Sequence, residues 1–347
     1  MKKKILFIYT NYSTFVKTDY EILTSEHEVT KYQFKPVKGL SKTAFQFLKQ
    51  LLYLVLNIWK FDIVFIWFAD YHSFLPVLFA KILGKKSFVV IGGYDVVKMP
   101  RLNYGVFTSK FRGFCAVYSM KNSSLNLAVS KNVERKVRWI AKKSNTQLIY
   151  NCVNISENKN IQPEKENLVI TVGLIDSERT YFIKGIDTFI EVARLIPEFN
   201  FMVIGMSKRL PEQILKYLPR NLELVEQVNH DELESYYKKA KIYCQFSRSE
   251  SFGVSVAEAM YFGCIPIVAN VGGMPEVVGE NGRIVKRIPE IISSQISDAV
   301  LNYPHHIFEK DTQNWPFSVE QRRKNLETVL NQYLNNQQST FWNATNK

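Results

Sequence analysis

Short apolar runs without polar alternation recur along this chain, each followed by a segment long enough for a helix. Ile5-Leu6-Phe7-Ile8-Tyr9 and Phe88-Val89-Val90-Ile91 are examples from the first half. A strand that is apolar at consecutive positions must be covered on both faces, and a parallel sheet with helices on either side provides that cover. The pattern predicts strands at 5–10, 28–34, 61–68, 87–92, 126–130 and 146–150, with helices at 41–59, 73–83 and 131–143. A polar segment, 151–166, interrupts it. The alternation then resumes, with strands at 168–173, 200–205, 222–226, 241–246, 265–269 and 283–286. Helices are expected at 185–196, 211–218, 231–239, 253–262 and 289–301. Ser318 with Gln321, after Pro316, has the spacing of a capping box and starts a last helix near 319–334. The fold class is therefore α/β with two Rossmann-like domains, which 347 residues can supply. Two open parallel sheets in tandem would face a cleft, which suits a two-substrate transfer.

The charge is unevenly placed. Residues 1–155 hold 24 Lys or Arg against 8 Asp or Glu, whereas residues 156–347 hold 21 against 24. The balances, +16 and −3, call for an anionic partner of the first half: a nucleic acid, an anionic membrane or a phosphorylated substrate; a merely solvated surface is the plainer alternative. The four cysteines, Cys115, Cys152, Cys244 and Cys264, form no CxxC pair, which indicates neither a zinc site nor a disulfide framework and fits a reducing cytoplasm. The first apolar run is shorter than a signal-peptide core, and no run reaches the roughly 20 residues of a membrane span. No GxGxxG follows a strand, which argues against an NAD enzyme. No paired-aromatic RNA signature occurs, so nucleic acid is not the expected partner.

The stretch from Ser247 to Met260 carries the most chemistry. A strand ends near Phe246, a loop with Arg248 and Glu250 follows, and a helix starts near Gly253. Backbone N–H groups of Phe252, Gly253 and Val254 at a helix start can hold an anion or sugar oxygens, and Gly253 permits close approach. Glu258 stands among apolar residues of that helix, where a carboxylate needs a hydrogen-bonding partner: a nucleotide ribose, or a neighbouring Lys or Arg. Lys184-Gly185 is expected to open a helix after the strand ending at Gly173, with Arg179 in the loop between. A lysine there can grip phosphate by charge. Gly205 closes the next strand, as part of the site or as a simple turn. In the first half, Asn11 and Tyr12 follow the first strand, and Gly92-Gly93-Tyr94-Asp95 ends the fourth.

Glu250, Phe252-Gly253, Glu258, Gly263 with Pro266, and Gly272-Gly273-Met274-Pro275-Glu276 together resemble the donor site of the family-four retaining glycosyltransferases (glycosyl transferases group 1), which share the GT-B fold. The resemblance implies that Glu250 binds hydroxyls of the donor sugar, Glu258 the ribose, and Lys184 the diphosphate. Departures are Ser251 for the first glycine of the motif, Leu174 for the arginine after the strand glycine, and Gly92 for the usual histidine. Arg179 would then substitute for the missing arginine. Arg248 joins the donor-binding set, and Asn11, Tyr12, Gly92, Gly93 and Asp95 the acceptor side. Phe317-Ser318 and Arg322 resemble the terminal helix that crosses back to the first domain. The expected layout is an acceptor domain at 1–152, a linker at 153–166, a donor domain at 167–315, the returning helix at 316–334 and a tail at 335–347.

The resemblance implies transfer of a sugar from a nucleotide sugar, with UDP or GDP as the nucleotide, to a glycan or lipid-linked glycan of the cell surface. No Asp-x-Asp occurs, so the expected reaction needs no metal and no cofactor, with leaving-group charge met by Lys184, Arg179 and helix N-termini. An epimerase of the same fold, or a non-catalytic binder of sugar nucleotides, are the alternatives. Two segments could meet a membrane. The helix from Lys42 to Lys60 is apolar nearly all round in its second part and is expected to be core. Lys131, Arg135, Lys136, Arg138, Lys142 and Lys143 form a basic helix that could face anionic lipid.

Overall fold

The computed structural model describes residues 2–155, 164–207, 212–303 and 315–344, without the side chains of 213 and 335–344. The chain divides into two compact units, 1–154 with 313–347 and 155–312. Unit 1 runs β1 (Lys4–Tyr9), α1 (Thr14–Glu26), β2 (Glu28–Gln33), α2 (Leu40–Asn57), β3 (Ile63–Trp67), α3 (Tyr71–Ile82), β4 (Lys86–Ile91), α4 (Lys110–Asn122), β5 (Leu125–Ala128), α5 (Lys131–Ile140) and β6 (Thr146–Leu148). Its sheet has the order β2-β1-β3-β4-β5-β6, parallel throughout. The apolar runs that predicted the strands are its core: Ile5 to Ile8, Ile63 to Ile66 and Phe88 to Ile91 are all fully buried.

Unit 2 runs β7 (Glu166–Ile175), α6 (Glu178–Lys184), α7 (Ile186–Leu195), β8 (Asn200–Met206), α8 (Glu212–Leu215), β9 (Leu222–Glu226), α9 (His230–Lys239), β10 (Ala240–Gln245), α10 (Val254–Tyr261), β11 (Ile265–Ala269), α11 (Met274–Val278), β12 (Arg283–Val285) and α12 (Pro289–Leu301). The order β12-β11-β10-β7-β8-β9 reverses between β7 and β10, and in unit 1 between β1 and β3. Such reversals are where open parallel sheets leave a crevice at the carboxyl ends of their strands. Among the described residues no helix is long and apolar enough to cross a membrane.

The last helix, α13 (Val319–Ala344), packs into unit 1. Ser318 Oγ accepts from the Gln321 backbone N–H at 3.1 Å. Arg322 is buried and donates to both oxygens of buried Asp19, Nε–Oδ1 at 2.5 Å and Nη2–Oδ2 at 2.7 Å, and to the carbonyls of Ile149 and Tyr150. A guanidinium taken out of water needs this many acceptors.

Several elements differ from the sequence expectation. Helices α1, α4, α6 and α11 were not predicted: α6 and α11 are short, and the buried faces of α1 and α4 mix polar or small residues with few large apolar ones, in α1 Val16, Ile22 and Leu23 beside Thr18 and Asp19. The helix expected at 131–143 ends at Ile140. The helix expected as core, α2, buries only Gln50 and Leu54, and most of its large apolar side chains face solvent.

Candidate active site

In unit 2, the groups singled out in the sequence converge at the β7/β10 reversal. Glu250, in the loop after β10, accepts from Lys184 Nζ at 3.1 Å and from Gln245 Nε2 at 2.7 Å through Oε2, and from its neighbour Ser251 N–H through Oε1. Gln245, the buried last residue of β10, in turn accepts from the Tyr243 hydroxyl at 2.9 Å. A carboxylate, an ammonium and a carboxamide are thus fixed by four hydrogen bonds in a partly buried setting, where reduced local polarity strengthens each one. Gln245 and Tyr243 were missed by sequence reasoning; the available signal was a glutamine inside the apolar run Ile242-Tyr243-Cys244-Gln245-Phe246.

Lys184 does not open a helix as expected. Ser177 and Thr180 form a capping box that starts α6 at Glu178, so Lys184 is its last residue, and Gly185 (φ +72°) turns the chain into α7. A Cβ on Gly185 would come within 2.1 Å of the Phe246 carbonyl oxygen, so only glycine lets this turn lie against the end of β10. Arg179 is likewise in α6 rather than in a loop, and its side chain is exposed. β7 continues past Gly173 to Ile175 through a register shift, and the stem of Lys184 lies over Gly173, whose Cβ would come 3.4 Å from Lys184 Cδ. Gly205 lies within β8, not at its end, with a Cβ position only 2.4 Å from the Gly173 carbonyl oxygen. These two glycines pack one strand against the next and leave room for Lys184.

Arg248, expected to bind the donor, is held elsewhere. Its guanidinium forks onto Asp187 of α7 at 2.7 and 2.6 Å and donates to the Phe182 carbonyl, while its backbone N–H reaches the Ile183 carbonyl at 2.7 Å. It therefore clamps the 247–250 loop to the α6–α7 turn and positions Lys184. Gly272 (φ +63°) comes so close to the Glu250 carbonyl that a Cβ would fall 1.6 Å from its oxygen.

Helix α10 follows Gly253 (φ +105°), which offers no side-chain cap and so leaves the first N–H groups of the helix available to an anion. Phe252 is buried and Val254 half-buried, so both would contribute through the backbone. Glu258 is buried one turn further on, where the Tyr237 hydroxyl donates to its Oε2 at 3.0 Å. Burial pushes its carboxyl up, to about 7, against the opposing influence of His230 and that hydrogen bond. The neighbouring Lys or Arg considered from sequence is replaced by a tyrosine.

In unit 1 a pocket of about 780 Å³ occupies the β1/β3 reversal. Thr10 and Asn11 line it from the end of β1, Phe68, Asp70, Tyr71 and His72 from the end of β3, and Tyr94, Ser109, Phe111 and Arg112 from beyond β4. Arg112 Nε donates to Asp70 Oδ1 at 2.9 Å and Nη2 to Oδ2, and its Nη1 reaches the Tyr94 hydroxyl at 3.1 Å. Asp70 and Arg112 were not foreseen. Of the residues expected here, Asn11 lines the pocket, whereas Tyr12 packs beside Tyr9 and Tyr20 under Lys31 Nζ. Asp95 faces inward: fully buried, it accepts from the N–H groups of Ala69, Gly92 and Gly93 and ties the end of β3 to the end of β4. Burial raises its carboxyl to about 7. Gly92 has the Phe68 ring where a Cβ would be, 2.3 Å away, which accounts for the absence of a side chain. Gly93 (φ +106°) starts the short turn Tyr94–Val96.

Residues 153–307 match the family model of the glycosyl transferases group 1. The phosphatidylinositol N-acetylglucosaminyltransferase gpi3 subunit of Schizosaccharomyces pombe is 27% identical over 168 residues, 46% of this chain and 36% of that protein. This chain thus spans about a third of that relative's length. Among solved structures, the sucrose-phosphate synthase of Thermosynechococcus elongatus superposes with a TM-score of 0.74 at 15% identity, covering 96% of this chain and 99% of that one. Anabaena HepE in complex with UDP and glucose gives 0.66 at 15% identity, covering 95% and 99%. Residues 153–307 thus resemble that family's model, and the two-sheet α/β architecture of the chain is of the GT-B type.

Proposed function

We propose that unit 2 binds a nucleotide sugar, UDP- or GDP-linked, and that the chain transfers its sugar with retention to a glycan or lipid-linked glycan of the cell surface. The observation that carries this reading is the Lys184–Glu250–Gln245 network beside the uncapped start of α10. A diphosphate needs fixed positive charge and free N–H groups; sugar hydroxyls need a carboxylate. Lys184 and the amides of α10 would meet the diphosphate, Glu250 the sugar, and Glu258 the ribose. In the reaction the bond from the anomeric carbon to the diphosphate oxygen breaks and the acceptor oxygen bonds to that carbon. The acceptor hydroxyl proton passes to the leaving diphosphate, so no protein base is needed. The Anabaena neighbour, which holds UDP and glucose on the same fold, is consistent with such a donor.

A thermal-shift screen against UDP-, GDP-, ADP- and dTDP-sugars tests the reading: one nucleotide class should raise the melting temperature. Incubating that donor without acceptor should leave the sugar's stereochemistry unchanged; a new epimer would make the chain an isomerase of the same fold. Transfer should survive excess EDTA, since Lys184 and helix amides supply the positive charge; loss of activity restored by manganese would contradict this.

A further inference from the structure

The outward face of α2 is apolar. Phe45, Leu48, Leu52, Val55 and Leu56 are all exposed, Phe45 at 65% and Leu56 at 68%. At 3.6 residues per turn they fall within an arc of about 100°. Trp59, 61% exposed, prolongs the stripe in the short turn that follows α2. Phe111 and Phe114 of α4 are exposed as well, and Phe111 meets α2 through the Phe47 ring at 6.0 Å. Scattered exposed apolar residues are ordinary, but a contiguous stripe of this size marks a binding surface.

The charge around the stripe identifies its occupant. From Val29 to Phe61 the chain has six lysines and no Asp or Glu, and from Val96 to Val133 it again has bases without an acid. Lys42 and Lys49 follow one edge of the stripe on the helix. An apolar face on a helix whose charged residues are both lysines suits the boundary of an anionic bilayer, where tails take the apolar side chains and head groups the lysines. A second copy of this face would set like charges against each other. The basic helix α5 is a weaker candidate: Trp139 is its one exposed large apolar residue, and Arg138 is paired with Glu134.

Leu40 and Thr43, at the start of α2, and Phe111 also line the unit 1 pocket. We propose that α2 with Phe111 and Phe114 seats unit 1 on an anionic lipid surface, and that the pocket at the amino-terminal end of α2 receives the head group of a lipid-linked acceptor from it. The acceptor clause rests on the transferase reading above.

The test compares the chain with L48E/L56E, two substitutions at exposed positions, on vesicles of phosphatidylcholine alone or mixed with phosphatidylglycerol. The parent should sediment with the mixed vesicles and not the neutral ones, and the variant should bind at least about tenfold more weakly, with an unchanged melting curve and unchanged nucleotide affinity. Equal binding by parent and variant, no binding by either, or a lipid-free dimer that the variant breaks would overturn the membrane seat. Labelled donor sugar should enter the chloroform-soluble fraction of vesicles made from lipids of the producing cells, and the variant should lose this. Label appearing only in water-soluble product would overturn the acceptor clause. Vesicle binding by a chain that takes up no nucleotide sugar would remove the transferase reading, and the acceptor clause with it, while the membrane seat stood.

Discussion

At the reversal in unit 2 the polar groups come chiefly from one stretch of chain, Gln245 to Glu258, with Lys184 brought alongside by the α6–α7 turn. The pocket at the reversal in unit 1 is assembled from five separate stretches: 10–11, 36–43, 68–72, 94 and 109–112. The first arrangement is a polar network poised for charge, the second a mainly apolar-walled chamber with a partly buried ion pair, Arg112 with Asp70. The contrast teaches that a site built on one strand, loop and helix is compact in sequence, whereas a site built on loops from several strands has no sequence signature of its own. Under the proposed transferase reading it would also divide the labour: fixed charge in unit 2 for a leaving diphosphate, an apolar-walled pocket in unit 1 for the other substrate.

The contrast can be broken first at the level of stability. Asp19→Ala leaves the fully buried Arg322 guanidinium without its carboxylate and should destabilise unit 1 by about 3–5 kcal/mol. Unfolding monitored by tryptophan emission should show this as an earlier transition, with unit 2's nucleotide affinity retained below it. Nearly as large, Lys184→Ala should lower the transfer rate by roughly 100–1,000-fold, the cost of one preorganised group facing developing charge. Steady-state kinetics should place that loss in kcat; an effect confined to the acceptor KM would move Lys184 to the other substrate.

A third test uses pH. The folded Glu258 carboxyl, at about 7, holds its proton more tightly than the usual glutamate at 4.5. Its contribution to stability is therefore greatest below the unfolded value and declines as pH rises from 4.5 to 7. Glu258→Gln should then be more stable than the parent at pH 8, by up to about 3 kcal/mol, and indistinguishable from it near pH 4. Donor affinity should move in the opposite sense: the ionised carboxylate binds ribose hydroxyls, so the parent should weaken about tenfold one pH unit below the folded value, and Glu258→Gln should lose that dependence. A parent whose donor affinity is flat between pH 6 and pH 8 would separate Glu258 from the ribose.

How much of this was legible in the sequence follows the same division. The strands were readable because parallel strands buried on both faces must be apolar at consecutive positions, as in Ile5 to Tyr9. Glu258 stood out because an acid in an apolar helix is unusual, and Glu250, in a polar loop, stood out only through its place in the motif of the resemblance. Arg248 looked similar, yet it is satisfied by Asp187, a partner 61 residues away that spacing cannot reveal. Asp95 was misplaced for a related reason: its three N–H donors come from the ends of two neighbouring strands, so its burial is a property of the sheet. The exposed face of α2 was read as core because periodicity reports that a face is apolar, not what covers it.

The central claim is that unit 2 holds the nucleotide and unit 1 does not. Calorimetry of the nucleotide sugar picked out by the thermal-shift screen, on the parent, Glu258→Ala and Arg112→Ala, addresses it directly. The account predicts one site per chain, weakened by about 1–3 kcal/mol in Glu258→Ala, as expected for losing a charged hydrogen-bond acceptor, and unchanged in Arg112→Ala. Unchanged affinity in folded Glu258→Ala together with loss in Arg112→Ala would place the nucleotide in unit 1 and contradict the assignment.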